Sequence, residues 1–484
     1  MGEGRVLSIR KSGSKLIFID LVSDAFKVQV VSSLKRSGVG PTEFNEAYSR
    51  IKRGDILCVK GLPGKTRAGE LSLYTSELPQ FLAPCLHNPP PELTDVMKRA
   101  QSRHVDLIVN PFNISVLRAR SWVINWMRNY LISHNFTEVS TPILAELSGG
   151  AAAKPFETSS RVLDARKLQL RIAPELWLKR LIIGGLERVF EIGPNFRNEN
   201  ADATHNPEFY SCEFYEAYAD IETLKTRTAS MLSDVLHQFE AARLNEFPGI
   251  RKLTERRCAV DFKPPFKEMD FVSSIQKEIG VTLPILDAPY ATQDLLRIFD
   301  KKGIERPVNC SLPGLLDYLS SKYIEPKCFL PTFVTDIPAC LSPLAKTSRR
   351  VSDGQLIAHR AELYVNYKEL ANLYEEENSP FQQRAKFMEQ NQYRTAAAQQ
   401  NGKSIEQLEQ ADQVLPEMPV DEGYIGALEW GLPPVGGWGI GLDRLLMILC
   451  DVDRIGGVMA FGGLKATVLA GRGNEPIPDI TGDF

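Results

Sequence analysis

The chain has 484 residues, with 57 Lys and Arg against 60 Asp and Glu, a formal net charge of −3. Hydrophobic residues make up 43% and charged residues 24%, an ordinary globular composition that excludes disorder or collagen-like structure as the main state. At roughly 150 residues per domain, about two to four domains are expected. No apolar run approaches the ~18 residues of a membrane span; Leu445 to Cys450 is among the longest. The near-neutral balance argues against a protein that coats nucleic acid nonspecifically and leaves room for a local basic face that grips an RNA. The eight Cys form no CxxC, and the six His show no ligand spacing. A reducing compartment is expected, with neither a disulfide framework nor a structural zinc. The N-terminal residues carry no apolar signal core, and Val6 stands where a myristoylation motif needs Ser or Thr.

Residues 4–85 read as short strands. In Lys15 to Leu21, Ile17, Ile19 and Leu21 share one face, with Leu16, Phe18 and Asp20 on the other. Phe26–Val31, Ile56–Lys60 and Glu70–Leu78 follow, the last two divided by a turn over Gly61–Gly69. About five strands without a long helix fit a small OB-type barrel, used either to bind oligonucleotides or only for packing. Asn88-Pro89-Pro90-Pro91 marks a boundary near 86–95, because proline fixes φ and disfavours helix before it. A short helix is predicted over Asp95–Ser102. Val116, Ala119, Val123, Met127 and Tyr130 then recur at helical spacing across Ser115–Ser133. A strand over Phe136–Thr141 ends at Pro142, and strands and helices alternate from there on. Residues 382–413 are Gln-rich and read as a solvated helical insertion, with a turn at Asn401-Gly402 and a capping box of Ser404 with Gln407.

Three stretches carry chemistry. The first is the long helix, strand and Pro142. The second runs from Arg188 through Phe196-Arg197-Asn198-Glu199 and Thr204-His205-Asn206-Pro207-Glu208-Phe209 into Glu213-Phe214-Tyr215. It predicts two strands joined by a loop whose arginine offers a planar fork to phosphate and whose aromatic ring can stack on a purine. The third, Gly436-Gly437-Trp438-Gly439-Ile440-Gly441-Leu442-Asp443-Arg444, is a glycine-rich strand entering an apolar helix. No GxxxxGK[ST] occurs in the chain, so a P-loop is excluded, and a Rossmann site is disfavoured. Two arginines this far apart, each in a nucleotide-friendly setting, point to a bent triphosphate held at both ends. Each motif alone is more often surface or packing; their combination and order are what carry weight.

On these residues the chain resembles the class II aminoacyl-tRNA synthetases of subclass IIb, and within them the lysyl enzymes. The three stretches look like motifs 1, 2 and 3 in chain order. Lysyl-type strings accompany them: Gly149-Gly150-Ala151-Ala152-Ala153-Lys154-Pro155-Phe156, Arg171-Ile172-Ala173-Pro174-Glu175-Leu176, Leu341-Ser342-Pro343-Leu344-Ala345-Lys346 and Ala427-Leu428-Glu429-Trp430-Gly431-Leu432-Pro433-Pro434. The resemblance implies an α+β chain: an OB-fold anticodon-binding domain at 1–87, a linker at 88–110, and a catalytic domain at 111–484 built on an antiparallel sheet flanked by helices. It implies lysyl-adenylate formation from L-lysine and ATP, transfer of lysine to tRNA(Lys), bound Mg²⁺, a homodimer formed through motif 1, and no membrane association. It also implies a cytoplasmic setting, or the mitochondrial matrix if a leader has been removed.

The resemblance assigns Arg197 to the α-phosphate and substrate carboxylate, Phe209 to one face of adenine, and Arg444 to the other face and the γ-phosphate. Asn198, Glu199, His205, Asn206 and Gly441 complete the ATP site. Glu362 and Glu369 match the metal-binding carboxylates. Their spacing of seven would place them on opposite faces of a flat strand, so a bend or bulge is expected. A substrate ammonium needs a carboxylate in its pocket, because burying an unpaired charge is costly. Glu376 with Tyr215 is expected at the ε-ammonium, and Glu175 with Gly150 and Glu213 at the α-ammonium, beside Asn372 and Tyr374; the division among the three glutamates stays open. On the barrel, Phe18 and Gln29 are expected on a solvent-facing side where a ring stacks on a base and an amide reads its edge, with Arg10 and Glu77 as weaker candidates. One departure from the family is Phe461-Gly462-Gly463 after motif 3, where Phe-Pro is usual. The rival readings are an aspartyl or asparaginyl enzyme, a relative that lysylates a protein, and a paralogue without catalysis that binds tRNA.

Overall fold

The computed structural model describes residues 2–464 and Val468, apart from Ala25, Ala152, 164–165, Cys258 and 401–419; of 394–400 it describes the helical backbone alone. The described residues fall into two compact units, within Met1–Ser115 and Val116–Val468.

The first unit is a barrel of β1 (Gly2–Lys11), β2 (Leu16–Ser23), β3 (Phe26–Ser33), β4 (Ile56–Val59), β5 (Gly61–Lys65), β6 (Leu71–Thr75) and β7 (Gln80–Ala83). The alternation in β2 is realised: Ile17, Ile19 and Leu21 are buried with Val6, Val30 and Leu57. The sheet runs β5-β6-β3-β2-β1-β4-β7. Because β4 and β5 are one run broken only at Lys60, that order closes β1 to β6 into a barrel, with β7 paired to β4 alone as an edge strand. Gly61–Lys65 is therefore a strand and not the turn expected there; the turn is confined to 66–69, where the Gly69 N–H donates to the Thr66 carbonyl. Gly61 is the corner. A Cβ at that position would stand 2.1 Å from the Tyr74 carbonyl oxygen, so only glycine lets β5 cross so close to β6. A helix that the strand-like reading missed, α1 (Pro41–Ser49), packs Phe44 and Tyr48 into the barrel core. Pro41 at its first position is the local signal. Beyond the barrel come α2 (Val96–Gln101), capped by the Asp95 carboxylate accepting from the Lys98 N–H, and α3 (Arg103–Val109).

Helix α4 (Pro111–Ser133) leads into the second unit and buries Val116, Ala119, Val123 and Met127 completely, as the helical period requires. There follow β8 (Thr137–Glu138), α5 (Glu175–Ile183), β9 (Arg188–Phe196), β10 (Glu208–Ala217), α6 (Ile221–Glu246) and β11 (Lys267–Asp270). Next are α7 (Phe271–Ile279), α8 (Ala291–Lys302), α9 (Leu312–Tyr323), β12 (Thr332–Thr335), β13 (Arg360–Val365) and β14 (Lys368–Glu375). The remaining labelled elements are α10 (Pro380–Gln400), α11 (Glu422–Leu428), β15 (Val435–Gly441) and α12 (Leu442–Cys450). Of the strand predicted over 136–141, only Thr137 and Glu138 join the sheet. The turn at Asn401-Gly402 and the Ser404–Gln407 capping box lie outside the described residues.

Eight strands form the main sheet in the order β11-β12-β13-β14-β15-β10-β9-β8. The inner pairings are antiparallel, and the outermost pairs, β8 with β9 and β11 with β12, are parallel. Phe190, Phe214, Leu373, Trp438 and Ile440 cover one face and join the side chains of α4 and α6 in a single core. Helices α7 to α9 pack in a second cluster.

One buried ion pair ties three elements of this unit. Asp443 on α12 is 1% exposed. It pairs with Arg120 of α4, and its other oxygen accepts the Tyr210 N–H of β10 at 2.7 Å. Arg120→Met strands that carboxylate, and losing one partner of a buried pair costs about 3–5 kcal/mol. Urea unfolding should show a loss of that order; a loss below ~1 kcal/mol would mean that Asp443 is held without Arg120.

Candidate functional site

The face of the main sheet opposite the core carries a cavity of about 450 Å³. The two-residue strand period builds its floor. Along β15, Trp438 and Ile440 point into the core, so Gly437, Gly439 and Gly441 alternate with them onto the cavity side. The register sets Ser211, Glu213 and Tyr215 of β10 beside Gly441, Gly439 and Gly437. On the other flank it sets Asn372 and Tyr374 of β14 beside Gly439 and Gly437. A stripe of residues without side chains thus runs between two walls of polar ones, and at Gly439 and Gly441 it lets a ligand approach the backbone.

The loop from β9 to β10 closes one end. Its Arg197 N–H donates to the Pro207 carbonyl at 2.8 Å and the Asn198 N–H to the Lys154 carbonyl at 2.7 Å. The Arg197 guanidinium lies 5.0 Å over the Phe209 ring and forms no ion pair among the described residues, which leaves its charge directed at the cavity. Arg444, in the first turn of α12, donates to the Glu369 carbonyl at 2.6 Å and lies 2.7 Å from His205 Nε2. Arginine can only donate, so Nε2 must accept and Nδ1 carries the proton, which it gives to Asp202 at 2.8 Å. Arg197, Glu199, His205, Asn206, Phe209, Gly441 and Arg444 all line the cavity, so the two arginines from distant parts of the chain do meet there. Asn198 is exposed and does not line it.

The bulge expected between Glu362 and Glu369 is present, though not within a single strand. The residues lie on two strands, β13 and β14, joined by a tight turn at Asn366 and Tyr367, whose φ of 51° and 66° are left-handed. Leu363 faces Ala371 while Tyr364 faces Glu369, so Leu370 is an extra, bulged residue. The bulge brings Glu369 to the side of Glu362, Tyr364 and Asn372. Burial pushes the Glu362 carboxyl up to about 7, against the pull of Arg360 and with repulsion from Glu369 added. Arg360 Nη2 stands 2.5 Å from Glu362, and the Tyr364 hydroxyl donates to Glu362 at 3.1 Å. Glu369 lines the cavity and Glu362 stands behind it. Among the described residues no cluster of three or more acidic, His or Cys side chains has a metal-holding arrangement.

Acids dominate the other end. Gly150, Glu175, Glu213, Tyr215, Asn372 and Tyr374 line it. Glu376 does not: it is fully buried, and its carboxylate lies 2.5 Å from the Nζ of Lys179. The direct wall position expected for Glu376 is therefore corrected to one a layer deeper, because a resident cation already sits against it. Lys179 also stands 2.5 Å from Glu175. Burial pushes Glu213 up to about 8, with the Glu175 charge adding to it. Lys179 escaped the sequence reading, although it lies four residues after Glu175 on the same helical face. Arg360, two residues before Glu362 on one strand face, carried a similar signal.

On the barrel, Arg10 pairs across the sheet with Phe18, and Asp20 with Gln29, so these residues share the outer face. Arg10 is exposed, 5.9 Å over the half-buried Phe18 ring. Gln29 is only 9% exposed and accepts from the Ser72 hydroxyl at 3.1 Å, against the expected solvent-facing position. Glu77 pairs with Lys60 at 3.0 Å. Tyr74, under Arg36 at 5.0 Å on the same outer face, went unnoticed in the sequence.

Residues 95–465 match the family described as tRNA synthetases class II (D, K and N), and residues 3–79 match the OB-fold nucleic acid binding domain. The chain belongs to the class II tRNA synthetases. Within them it falls in the lysine–tRNA ligase family. It is 39% identical to the mitochondrial lysine–tRNA ligase of Schizosaccharomyces pombe, over 96% of this chain and 83% of that protein. It is 37% identical to a probable cytoplasmic lysine–tRNA ligase of Encephalitozoon cuniculi, over 96% and 86%. Identity to the lysine–tRNA ligase of Chloroflexus aurantiacus is 36%, over 96% and 88%.

The synthetase's glycine stripe is testable at one point. A Cβ on Gly437 would stand 1.8 Å from Glu376 Oε1 and 2.7 Å from the Tyr215 ring. Gly437→Ala should cost about 1–3 kcal/mol by overpacking. Gly426→Ala, whose added Cβ meets nothing within 4 Å in helix α11, should be neutral or stabilising by a few tenths of a kcal/mol. Urea unfolding of the two variants side by side checks this, and equal stabilities would contradict it.

Proposed function

We propose that the chain activates L-lysine with ATP and passes the lysyl group to the terminal ribose of tRNA(Lys). The carrying observation is the polarity of one cavity, with Glu175 and Glu213 at one end and the cationic Arg197 and Arg444 at the other. An amino acid with two ammonium groups and one carboxylate fits that gradient. In the first step the substrate carboxylate attacks the α-phosphorus, the bond to the β-phosphate oxygen breaks, and pyrophosphate leaves. In the second, a hydroxyl of the terminal ribose attacks the adenylate carbonyl and AMP leaves. No protein nucleophile is needed; positioning and charge stabilisation suffice.

Arg197 holds the α-phosphate and the substrate carboxylate. Phe209 takes one face of adenine and Arg444 the other while reaching the γ-phosphate; Glu199, His205, Asn206 and Gly441 complete the nucleotide site, with Asn198 outside it. Glu362 and Glu369 would hold Mg²⁺: two carboxylates on one face, one driven up by burial and by its neighbour, suit a hard cation that takes its remaining ligands from phosphates and water. Bound magnesium neutralises phosphate charge. Glu175 and Glu213, with Gly150, Asn372 and Tyr374, receive the α-ammonium side, and Tyr215 with Glu376 behind it receives the ε-ammonium. An aspartyl or asparaginyl enzyme would need a cation or amide where these acids stand. The barrel face at Phe18, Arg10 and Gln29 reads the anticodon, with Glu77 at its margin. The active form is a homodimer through α4. No helix among the described residues is long and apolar enough to cross a membrane, and a cytoplasmic setting is the one we favour over the mitochondrial matrix.

The direct test is ATP–pyrophosphate exchange with each of the twenty amino acids in turn, with lysine as the expected substrate. Exchange driven by aspartate or asparagine would overturn the assignment. Arg197→Ala and Arg444→Ala should each lose about a hundredfold or more in lysine-dependent exchange, on the order of 3 kcal/mol of transition-state charge contact, with an unchanged circular dichroism spectrum. Phe18→Ala should weaken aminoacylation of tRNA by roughly 1–3 kcal/mol of lost stacking and leave exchange untouched. A parallel fall in exchange would place Phe18 in support of the fold.

A further inference from the structure

Lys179 is fully buried behind the acidic end of the cavity, and the reaction as described leaves its charge unused. Its Nζ bridges Glu175 and Glu376 at 2.5 Å each. The rings of Tyr215 and Tyr424 flank it at 5.9 and 6.0 Å. The Glu376 oxygen turned away from Lys179 accepts no hydrogen bond among the described residues. That oxygen, Oε1, fills the space over Gly437, next to the Tyr215 ring, and Tyr215 lines the cavity. A fully buried carboxylate oxygen with no partner, one side chain from an open pocket, is a position prepared for a cation.

The charges supply the rest. Lys179 pairs with Glu175 and Glu376, while Glu213 feels the Glu175 charge and the opposing pull of Arg197. With all three carboxylates ionised, negative charge exceeds positive at this end, and lysine brings ammonium groups to it. We propose that Lys179 is a positioning residue for lysine selection: it aims Glu376 so that Oε1 stays open toward Tyr215, and it sets the pocket charge that a dicationic amino acid completes. This rests on the lysine-activating reading above.

The empty cluster answers its charge deficit with protons. Burial pushes Glu213 up to about 8, and burial raises Glu376 also, with Lys179 opposing. The groups facing the cluster are Glu175 and Lys179 of α5, Glu213 and Tyr215 of β10, and Tyr374 and Glu376 at the end of β14. Tyr424 of α11 faces Lys179, and the guanidinium groups of Arg171 and Arg197 act on Glu213. A raised carboxyl must lose its proton before it receives an ammonium. The lysine KM should therefore fall as pH rises from about 6 and level off near 8, by about tenfold per unit for one displaced proton.

The experiment compares wild type with Lys179→Met in lysine-dependent pyrophosphate exchange across that range. Without the resident cation the carboxylates hold protons more tightly. The variant should raise the lysine KM by about tenfold or more, leave the ATP KM within about twofold, and move the levelling pH up by about one unit or more. A lysine KM that rises with no movement of the pH profile means packing alone and overturns the proposal, as does an unchanged KM. If Lys179→Met does not fold, Lys179→Met/Glu376→Gln removes the buried pair together. That double variant should fold by circular dichroism and still bind lysine poorly; wild-type KM and pH profile in it would overturn the proposal. Calorimetry of lysine binding to wild type at pH 7, in Tris and in phosphate, should show release of about one proton per lysine, and no release would overturn it too. A wild type that activates no lysine defeats the proposed function instead.

Discussion

The register between β10, β15 and β14 is the constraint on which the rest of this molecule depends. It sets Tyr215 and Tyr374 on either side of Gly437, and Glu213 and Asn372 on either side of Gly439. The intervening Phe214, Leu373 and Trp438 go to the core. A slip of one residue would exchange the two faces, placing Glu213 among α4 and α6 and Phe214 in the cavity. Burial of the aromatic core therefore specifies the site: the energy that holds Trp438 against Phe214, ring centroids 4.8 Å apart, also holds Glu213 and Gly439 in place. Recognition needs no separate scaffold because it occupies alternate residues of the core strands.

A second layer of order comes from buried charge. Charged groups at both ends of the cavity are fixed by partners in or behind its wall: Arg360 by Glu362, Asp443 by Arg120, and Glu175 by Lys179. In a low-dielectric surrounding such groups act strongly on whatever enters and do not reorganise much as they do so. They also keep the acid and base ends from collapsing onto each other. Arg197 forms no ion pair among the described residues and lies over the Phe209 ring, which leaves its charge to the ligand.

What was readable in the sequence follows from what is local. The β2 alternation and the α4 helical period report directly on which side is buried, and both are realised, with Tyr130 at the end of the helical series only half-buried. Motif residues that line the cavity were recognisable because three stretches, each weak alone, occur together and in one order along the chain. Relations set by chain reversal were not readable. Glu362 and Glu369 look misaligned along a strand, and only the hairpin with Leu370 bulged brings them together. Gly61 reads as a turn residue because glycine serves turns and close crossings alike. Gln29 sits on the expected face, but its cover by Ser72 is a pairing across β3 and β6 that alternation within one strand does not reveal. Glu376 was assigned from its type and region; its depth depends on Lys179, which approaches from a different helix.

The acidic pocket shows why such depth is tolerated. Glu175, Glu213 and Glu376, gathered at one end with a single paired ammonium, are a poor way to stabilise a fold, since a hydrophobic cluster of equal volume would serve as well or better. On the proposal above, their excess of negative charge serves binding instead. Charge left uncompensated in the empty protein is neutralised by protons that a fitting ligand must displace, so part of the binding energy of the correct amino acid goes to completing the pocket. A neutral side chain of the same length would leave the buried oxygen of Glu376 unpaired and gain nothing from reaching it. The site then discriminates chiefly by the cost of leaving its own groups unsatisfied, which is how buried polar pockets reach selectivities that shape alone cannot supply.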